Sequence, residues 1–279
     1  EMQRSLVGSE MCIRDSYAGD VPVTITVIDT YSGIGSVEWS VKAPFDTDNN
    51  QSEKIVVTND GVLQKAEPGR DGETYVPDSS WTVGDDERDR NLVTQMKKTI
   101  NVTNNSNDIV VEVKLTDRAG NTTTKNISFS IDTTQPVIEV TYDKDVVPDA
   151  KYTNFFKDAR TATVTIKERN FNEEGVKYNI ESTDGVIPVL SQWTKQDVEE
   201  GQNPDGTVYT ATITYEADGD YTFKIECTDQ AGNKAKSFEP HTFTIDRTLP
   251  TVSVTYDNMS ALNGNYFRAD RTATITIVE

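Results

Sequence analysis

The sequence predicts an all-β protein built from tandem β-sandwiches that are joined by short proline-containing linkers. Three observations predict it: blocks of sequence recur in one order, apolar residues alternate with polar ones inside the blocks, and turn-forming residues separate the blocks. A chain of 279 residues is too long for one sandwich of about 100 residues and suits two or three of them.

The recurring blocks are the strongest signal in the chain, because a fixed spacing indicates copies of one structural unit. The segment 132–143 returns at 246–257, an offset of 246 − 132 = 114 residues. Two further pairs of blocks are RTATVTI at 160–166 with RTATITI at 271–277, and TDRAGN at 116–121 with TDQAGN at 228–233. Several blocks in one order at nearly one spacing predict a tandem repeat.

The offsets also predict where the units begin and end. We expect residues 17–132 to form a unit that lacks its first strand and has enlarged loops. Residues 133–246 are expected to form a complete unit, and residues 247–279 the truncated start of a third. Only the complete unit has all the strands that a closed core needs.

An insertion distinguishes the first unit from the second. Trp39 corresponds to Tyr178 at an offset of 178 − 39 = 139 residues. Trp81 corresponds to Trp193 at 193 − 81 = 112, so the first unit holds 139 − 112 = 27 extra residues between these points. The extra residues are polar and rich in turn formers, which predicts loops that have grown.

Apolar residues recur with the period of a strand that has one buried face. Val23, Ile25 and Val27 alternate with threonines, which suit the wet face of a pleated sheet. Asp-x-Ala-Gly-Asn and Asp-Gly turns separate such strands. About seven short strands in roughly 110 residues predict an immunoglobulin-like sandwich.

Two residues of the second unit indicate how this sandwich closes without a disulfide. Cys227 corresponds to Leu115 at an offset of 227 − 115 = 112, so we predict a small core residue rather than a reactive thiol. Tyr221 follows Asp218-Gly-Asp and is expected to form a tyrosine corner.

These blocks resemble bacterial Ig-like repeats of large cell-surface proteins from Gram-positive, Firmicutes-type bacteria. The resemblance covers residues 17–279 and implies an extracellular location, at the cell surface or in the cell wall. It implies roles as spacers, adhesin stalks or accessory modules. Residues 1–16 do not fit the repeats and look like translated sequencing-adaptor DNA of the kind found on metagenomic open reading frames, so Cys12 is left out of the fold prediction.

Composition excludes several classes of function. The net charge of −19 repels phosphate backbones and anionic lipids, so we expect no nucleic-acid partner. No apolar run approaches the ~20 residues of a membrane helix, so we expect no membrane insertion in this fragment. One histidine and two cysteines leave little material for catalysis, and we predict a non-catalytic, monomeric array without an obligatory cofactor.

Acidic residues near the predicted joints are the candidate metal ligands. Calcium takes six to eight oxygen ligands, and the spacing of these acids matches no dedicated calcium loop. Two interpretations stay open: calcium binding at the joints, or ordinary turn carboxylates. The candidates are Asp132, Asp143, Asp246 and Asp257, with Asp29, Asp117, Glu168 and Asp229 as further acids at strand ends.

Two tryptophans are the candidate ligand-binding residues. Trp81 and Trp193 occupy matching positions among polar neighbours in the two units. An exposed indole can stack on a sugar ring, whereas a buried one caps the end of a sandwich. The exposure of the two rings decides between these interpretations.

The sequence therefore predicts a structural or adhesive stalk or spacer. The alternatives are a carbohydrate-binding adhesin module and accessory domains of a larger surface hydrolase. Partners are expected among host or cell-wall glycans or proteins.

Overall fold

The computed structural model describes residues 4–5, 16–70, 72–86, 89–144, 154–199 and 201–279. Within these ranges the regular structure is β-strand, apart from three single-turn 3₁₀ segments. No helix among the described residues has the length and apolar character needed to cross a membrane. The predicted all-β class is confirmed.

The strands follow the blocks found in the sequence. In chain order they are β1 (Arg4–Ser5), β2 (Ser16–Tyr17), β3 (Val21–Ile28), β4 (Ile34–Lys42), β5 (Gln51–Val57), β6 (Leu63–Gly69), β7 (Gly72–Pro77), β8 (Thr82–Asp86), β9 (Asp89–Val102), β10 (Ser106–Asp117), β11 (Thr122–Ile131), β12 (Val137–Tyr142), β13 (Phe155–Phe156), β14 (Arg160–Lys167), β15 (Val176–Ser182), β16 (Thr194–Gln196), β17 (Val208–Tyr215), β18 (Gly219–Cys227), β19 (His241–Ile245), β20 (Thr251–Tyr256) and β21 (Ala273–Val278). The 3₁₀ segments are Thr47–Asn49, Glu173–Gly175 and Pro204–Gly206.

The first sandwich packs a four-stranded sheet, β1-β3-β9-β8, against a seven-stranded one, β2-β11-β10-β4-β5-β6-β7. Its core is built from the alternating apolar positions of facing strands, as the two-residue period predicts. Val23 and Ile25 of β3, Met96 of β9 and Val111 of β10 are buried there.

The second sandwich packs β12-β14-β17-β16 against β13-β19-β18-β15. Phe223, Ile225 and Cys227 of β18 are buried in a core that is separate from the first, so Cys227 is the core residue that the sequence predicts. The Tyr221 hydroxyl donates to the Ala217 carbonyl at 2.9 Å, which confirms the tyrosine corner. The predicted boundary after residue 132 stays a prediction, and it falls between the two cores.

The insertion of the first unit, expected as enlarged loops, forms strands instead. β5, β6 and β7 extend the sheet beyond β4 and have no counterpart among the described strands of the second sandwich. Ile55 of β5 and Leu63 of β6 reach the core, and Gly61 turns the chain between these strands with φ +80°. Most residues of the insertion are polar, so composition alone concealed strands that contribute to the core.

This extension explains a difference between two matched aromatic residues. Trp39 of β4 is buried, and its Nε1 donates to Glu53 of the added β5 at 2.8 Å. Tyr178 of β15 is 40% exposed. β15 is the edge strand of its sheet, so no neighbouring strand covers that side of Tyr178.

A stacked arginine explains the repeated Tyr-Asp and Arg-Thr-Ala-Thr blocks. The Arg160 guanidinium lies 3.7 Å from the ring centre of Tyr142 and 4.0 Å from that of Phe156. In the third copy, Arg271 lies between two aromatic rings in the same way, at 3.8 Å from Tyr256. β20 pairs antiparallel with β21 just as β12 pairs with β14.

The leading segment is described only in part. Arg4 and Ser5 form β1, which pairs parallel with Val23 and Thr24 of β3. β12 pairs with the corresponding strand β14 in the antiparallel direction. Residues 1–3 and 6–15 lie outside the described residues, so the adaptor origin and the position of Cys12 stay predictions.

A candidate site at the joint between the sandwiches

Three acidic residues that are distant in sequence meet where the two sandwiches join. Asp132 directly follows β11 of the first sandwich, whereas Glu168 follows β14 and Asp229 follows the end of β18 in the second. All three are buried, and one carboxylate oxygen from each lies within 4.8 Å of the others. The joint therefore concentrates negative charge away from water.

The Asp-x-Ala-Gly-Asn turn of the second sandwich places Asp229 in this cluster. The Asn233 backbone N–H donates to Asp229 Oδ1 at 2.8 Å, and Gly232 supplies the left-handed conformation, φ +94°, that the turn needs. The Asn233 side-chain amide donates to Asp229 Oδ2 at 2.9 Å and to the Asp132 carbonyl at 2.8 Å. A motif predicted as a hairpin turn thus also binds the preceding sandwich.

Asn170 links the same residues from the end of β14. Its backbone N–H donates to Glu168 Oε1 at 2.7 Å, and its side-chain amide donates to Asp132 Oδ2 at 2.7 Å. Asn170 and Asn107 of the first sandwich also exchange two amide hydrogen bonds, at 2.9 and 3.1 Å. These bonds fix the rotation of one sandwich about the other.

Arg169 is the basic residue of the joint, and its side chain is fully buried. Nη2 contacts Asp132 Oδ1 at 3.1 Å and donates to the Ile131 carbonyl at 2.8 Å. It also donates to Asn105 Oδ1. Nη1 pairs with Asp205 of the second sandwich at 2.8 Å. One guanidinium therefore connects two sandwiches through fixed, desolvated contacts.

Glu168 has an unmet hydrogen-bonding need. The residue is 2% exposed, and its Oε2 has no hydrogen-bond partner among the described residues. Burial, together with the neighbouring carboxylates of Asp132 and Asp229, raises the pKa of Glu168 to about 7. Burial also raises the pKa of Asp229. The cluster thus holds more negative charge than its partners offset.

Of the four acids predicted as joint ligands, only Asp132 belongs to this cluster. Asp143 Oδ1 accepts from the Thr161 backbone N–H at 2.7 Å, and Asp257 Oδ1 accepts from Thr272 N–H at 3.0 Å. These two exposed acids secure the start of a strand and lie apart from the cluster.

Asp246 occupies the position of Asp132 at the next joint. Its Oδ1 accepts from the Thr248 N–H at 3.1 Å, as Asp132 Oδ1 accepts from the Thr134 N–H at 3.0 Å.

Sequence inspection could not find Arg169 or Asn170, because neither lies in a recognised motif and both act across the joint.

Trp81 is too buried to form the sugar platform considered for it, whereas a ligand-binding role of Trp193 stays a prediction. Trp81 is 5% exposed and belongs to the first core, with the Lys98 amine 5.6 Å from its ring centre, so its ring faces are not available for stacking on a ligand. Trp193 is half-buried and meets Phe171 edge-to-face at 5.2 Å. Both rings pack against their sandwiches because burying an indole is more favourable than leaving it wet.

Two chemically reactive residues also lie in the second sandwich, Cys227 in its core and His241 half-buried beside aromatic rings. The His241 ring lies 4.7 Å from the ring of Phe238, and burial lowers the pKa of His241. Burial raises the pKa of the Cys227 thiol to about 11, so the thiol stays protonated at neutral pH.

Comparison with known proteins identifies one segment. Residues 158–247 match the family model of a bacterial Ig-like domain. No curated protein sequence matches the chain. The crystal structure of murine CEACAM1b is similar over 83% of this chain and 94% of its own, with 15% identity and a TM-score of 0.33. The crystal structure of Rst D1-D2 is similar over 83% and 92%, with 7% identity and a TM-score of 0.40.

Proposed function

We propose that the chain is a non-catalytic spacer of an extracellular bacterial surface protein. The joint between the sandwiches carries this proposal, because its buried polar network holds consecutive modules in one orientation. The bacterial Ig-like match at residues 158–247 supports a structural or adhesive module. The net charge of −19 keeps such an array soluble and makes neighbouring stalks repel each other.

Rigid joints turn a series of modules into a rod. β11 ends at Ile131 and β12 begins at Val137, so only a short connection separates the sandwiches. Strand β10 of the first sandwich has twelve residues, which at about 3.3 Å per residue span about 40 Å. Each further module would extend the array by a similar length.

Two observations on reactive groups support a non-catalytic role. His241 is the one histidine of the chain, and it packs among aromatic rings of the second sandwich. Cys227 is a buried thiol with a raised pKa. The Cys227 thiol lacks the accessible, activated environment of a nucleophile.

Small-angle X-ray scattering of the full chain tests the spacer function. We expect one extended particle whose pair-distance distribution shows two resolved maxima, one from within modules and one from between them. The variant Arg169→Met removes a central contact of the joint and is expected to broaden the second maximum. A compact wild-type particle, or a variant with the same profile as wild type, would contradict a joint-stiffened spacer. Antibody labelling of intact cells that express the full gene tests the location.

A second candidate function is adhesion through the enlarged sheet of the first sandwich. An open groove of about 1080 Å³ runs over the added strands and is lined by charged residues that include Lys54 and Glu67. Such a surface suits a polar partner, and host or cell-wall glycans or proteins are the candidates. A glycan array with wild type and Lys54→Ala tests the glycan case, since binding that survives in the variant would place the contact elsewhere.

Accessory domains of a larger surface hydrolase remain the third alternative. The full open reading frame tests it directly, because a hydrolase domain encoded on the same chain would favour an accessory role over a spacer.

A further inference from the structure

We propose that the carboxylates of Asp132, Glu168 and Asp229 bind one divalent cation that prefers oxygen ligands, and that Ca²⁺ fits best. Carboxylate oxygens are the ligands that Ca²⁺ takes in proteins, at about 2.3–2.6 Å. Two oxygens on opposite sides of such an ion lie about 5 Å apart. The oxygens of the cluster lie within 4.8 Å of one another, so one ion can contact all three.

The unpartnered oxygen of Glu168 points to a ligand independently of the number of acids. Buried polar atoms in folded proteins nearly always have a partner, because an unsatisfied one costs about 1–3 kcal/mol and a charged one costs more. Glu168 Oε1 accepts from Asn170, whereas Oε2 has no partner among the described residues. A cation at the cluster supplies the missing partner.

The charge of the cluster fits a divalent ion better than a monovalent one. With all three carboxylates ionised, as the ligands of a cation are, the Arg169 guanidinium leaves a net charge of −2, and Asp205 draws on the same guanidinium. Desolvated like charges at this distance repel strongly. One Ca²⁺ neutralises the three carboxylates that Arg169 cannot offset alone.

The first sandwich provides an internal comparison. Asp29 stands where Glu168 stands in the second copy, at an offset of 168 − 29 = 139 residues. Asp29 Oδ1 accepts backbone N–H groups of Ser32 at 2.9 Å and Gly33 at 2.7 Å. In the first sandwich, backbone N–H groups of the loop therefore supply hydrogen bonds to the Asp29 carboxylate. The longer side chain of Glu168 instead places Oε2 at the joint, where no described residue donates to it.

The same pair of acids recurs at the next joint. Asp246 follows Asp132 by 114 residues, and Glu279 follows Glu168 by 279 − 168 = 111. Glu279 directly follows the last residue of β21, just as Glu168 directly follows Lys167, the last residue of β14. The repeat therefore carries two of the three ligands forward.

The binding claim depends on the cluster alone. Its consequence, that the ion stiffens the joint, rests on the proposed spacer function. Binding and shape are therefore measured separately, so that a chain that binds Ca²⁺ but forms no rod is recognised as such.

Isothermal titration calorimetry of the full chain with CaCl₂, after dialysis against EDTA, tests binding. We expect a Kd of about 10⁻³ M or tighter, the range of extracellular modules, and weaker binding of MgCl₂, which demands regular octahedral geometry. The thermal midpoint should rise by about 5 °C at saturating Ca²⁺ and return with EDTA. No heat of binding and no shift at 10 mM Ca²⁺ would overturn the site.

Charge-removing variants of equal size locate the ion. Glu168→Gln is expected to weaken Ca²⁺ binding at least tenfold while its EDTA melting midpoint stays equal to or above that of wild type, because a buried carboxylate is lost. Asp143→Asn removes the same charge at an exposed site and should bind as wild type does. Asp229→Asn serves if Glu168→Gln does not fold. Wild-type affinity in the cluster variant, or an equal loss in Asp143→Asn, would assign the binding to diffuse surface charge and overturn the proposal.

Discussion

Replacing Arg169 with methionine should destabilise the joint by an amount set by the burial of its partner. Arg169 and Asp132 are both fully buried at the side chain, with 3.1 Å between Nη2 and Oδ1. Methionine fills a similar volume but leaves the Asp132 carboxylate without a counter-charge. Breaking a buried pair in this way costs about 3–5 kcal/mol, because an uncompensated charge stays in the interior.

The companion variant Asp132→Asn turns this into a sharp test. The asparagine keeps one oxygen as an acceptor and removes the charge, so the double variant no longer buries an unpaired carboxylate. We expect Arg169→Met/Asp132→Asn to be more stable than Arg169→Met alone, with a coupling of about 1–3 kcal/mol.

Urea unfolding in EDTA measures all four proteins of this cycle. Tryptophan fluorescence follows both sandwiches, because Trp39 and Trp81 lie in the first and Trp193 lies in the second. Free energies of unfolding that add within about 0.5 kcal/mol would refute the reasoning, since independent sites add and coupled ones do not. A double variant less stable than both single variants would refute it as well.

Three further predictions follow from single side chains. Trp81→Ala should cost about 3–5 kcal/mol of unfolding free energy, and Trp193→Ala roughly half as much, since only the first ring is fully buried; equal losses by urea titration would contradict this. Tyr221→Phe removes the hydrogen bond to Ala217 and should cost about 1 kcal/mol by the same assay, whereas a neutral variant would argue against the corner. Burial lowers the pKa of His241 in the folded protein, so the unfolded chain binds a proton at a higher pH than the folded chain does. The free energy of unfolding should therefore fall as the pH drops below about 6.5. Melting curves between pH 7 and pH 5 should show a smaller decrease in melting temperature for His241→Gln than for wild type.

Local features of the fold could be predicted from the sequence because they depend on local patterns. The alternation of Val23, Ile25 and Val27 fixes which face of β3 is buried. The match of Cys227 to Leu115 identified a core position without any knowledge of its neighbours.

Features that depend on long-range packing could not be predicted. The polar insertion gave no sign that β5 would pair with the free edge of β4, because edge pairing satisfies backbone groups whatever the side chains are. The burial of Trp81 depends on strands distant in sequence, so polar neighbours in sequence were misleading.

The candidate site was predicted in part. The sequence placed Asp132 with Asp143 and Asp257 among the joint acids, and Glu168 and Asp229 only among further acids at strand ends. Only the meeting of the two sandwiches brings three of these acids together.

The unequal sharing of the joint gives each module a direction. A module contributes one acid, as Asp132 does, where the chain leaves it, and two acids, as Glu168 and Asp229 do, where the chain enters it. Such a head-to-tail contact does not close on itself, so it continues along a line for as many copies as are present. Duplicating or deleting one whole unit in the gene would therefore regenerate a complete contact at the new boundary, and the protein could change its reach without evolving a new interface.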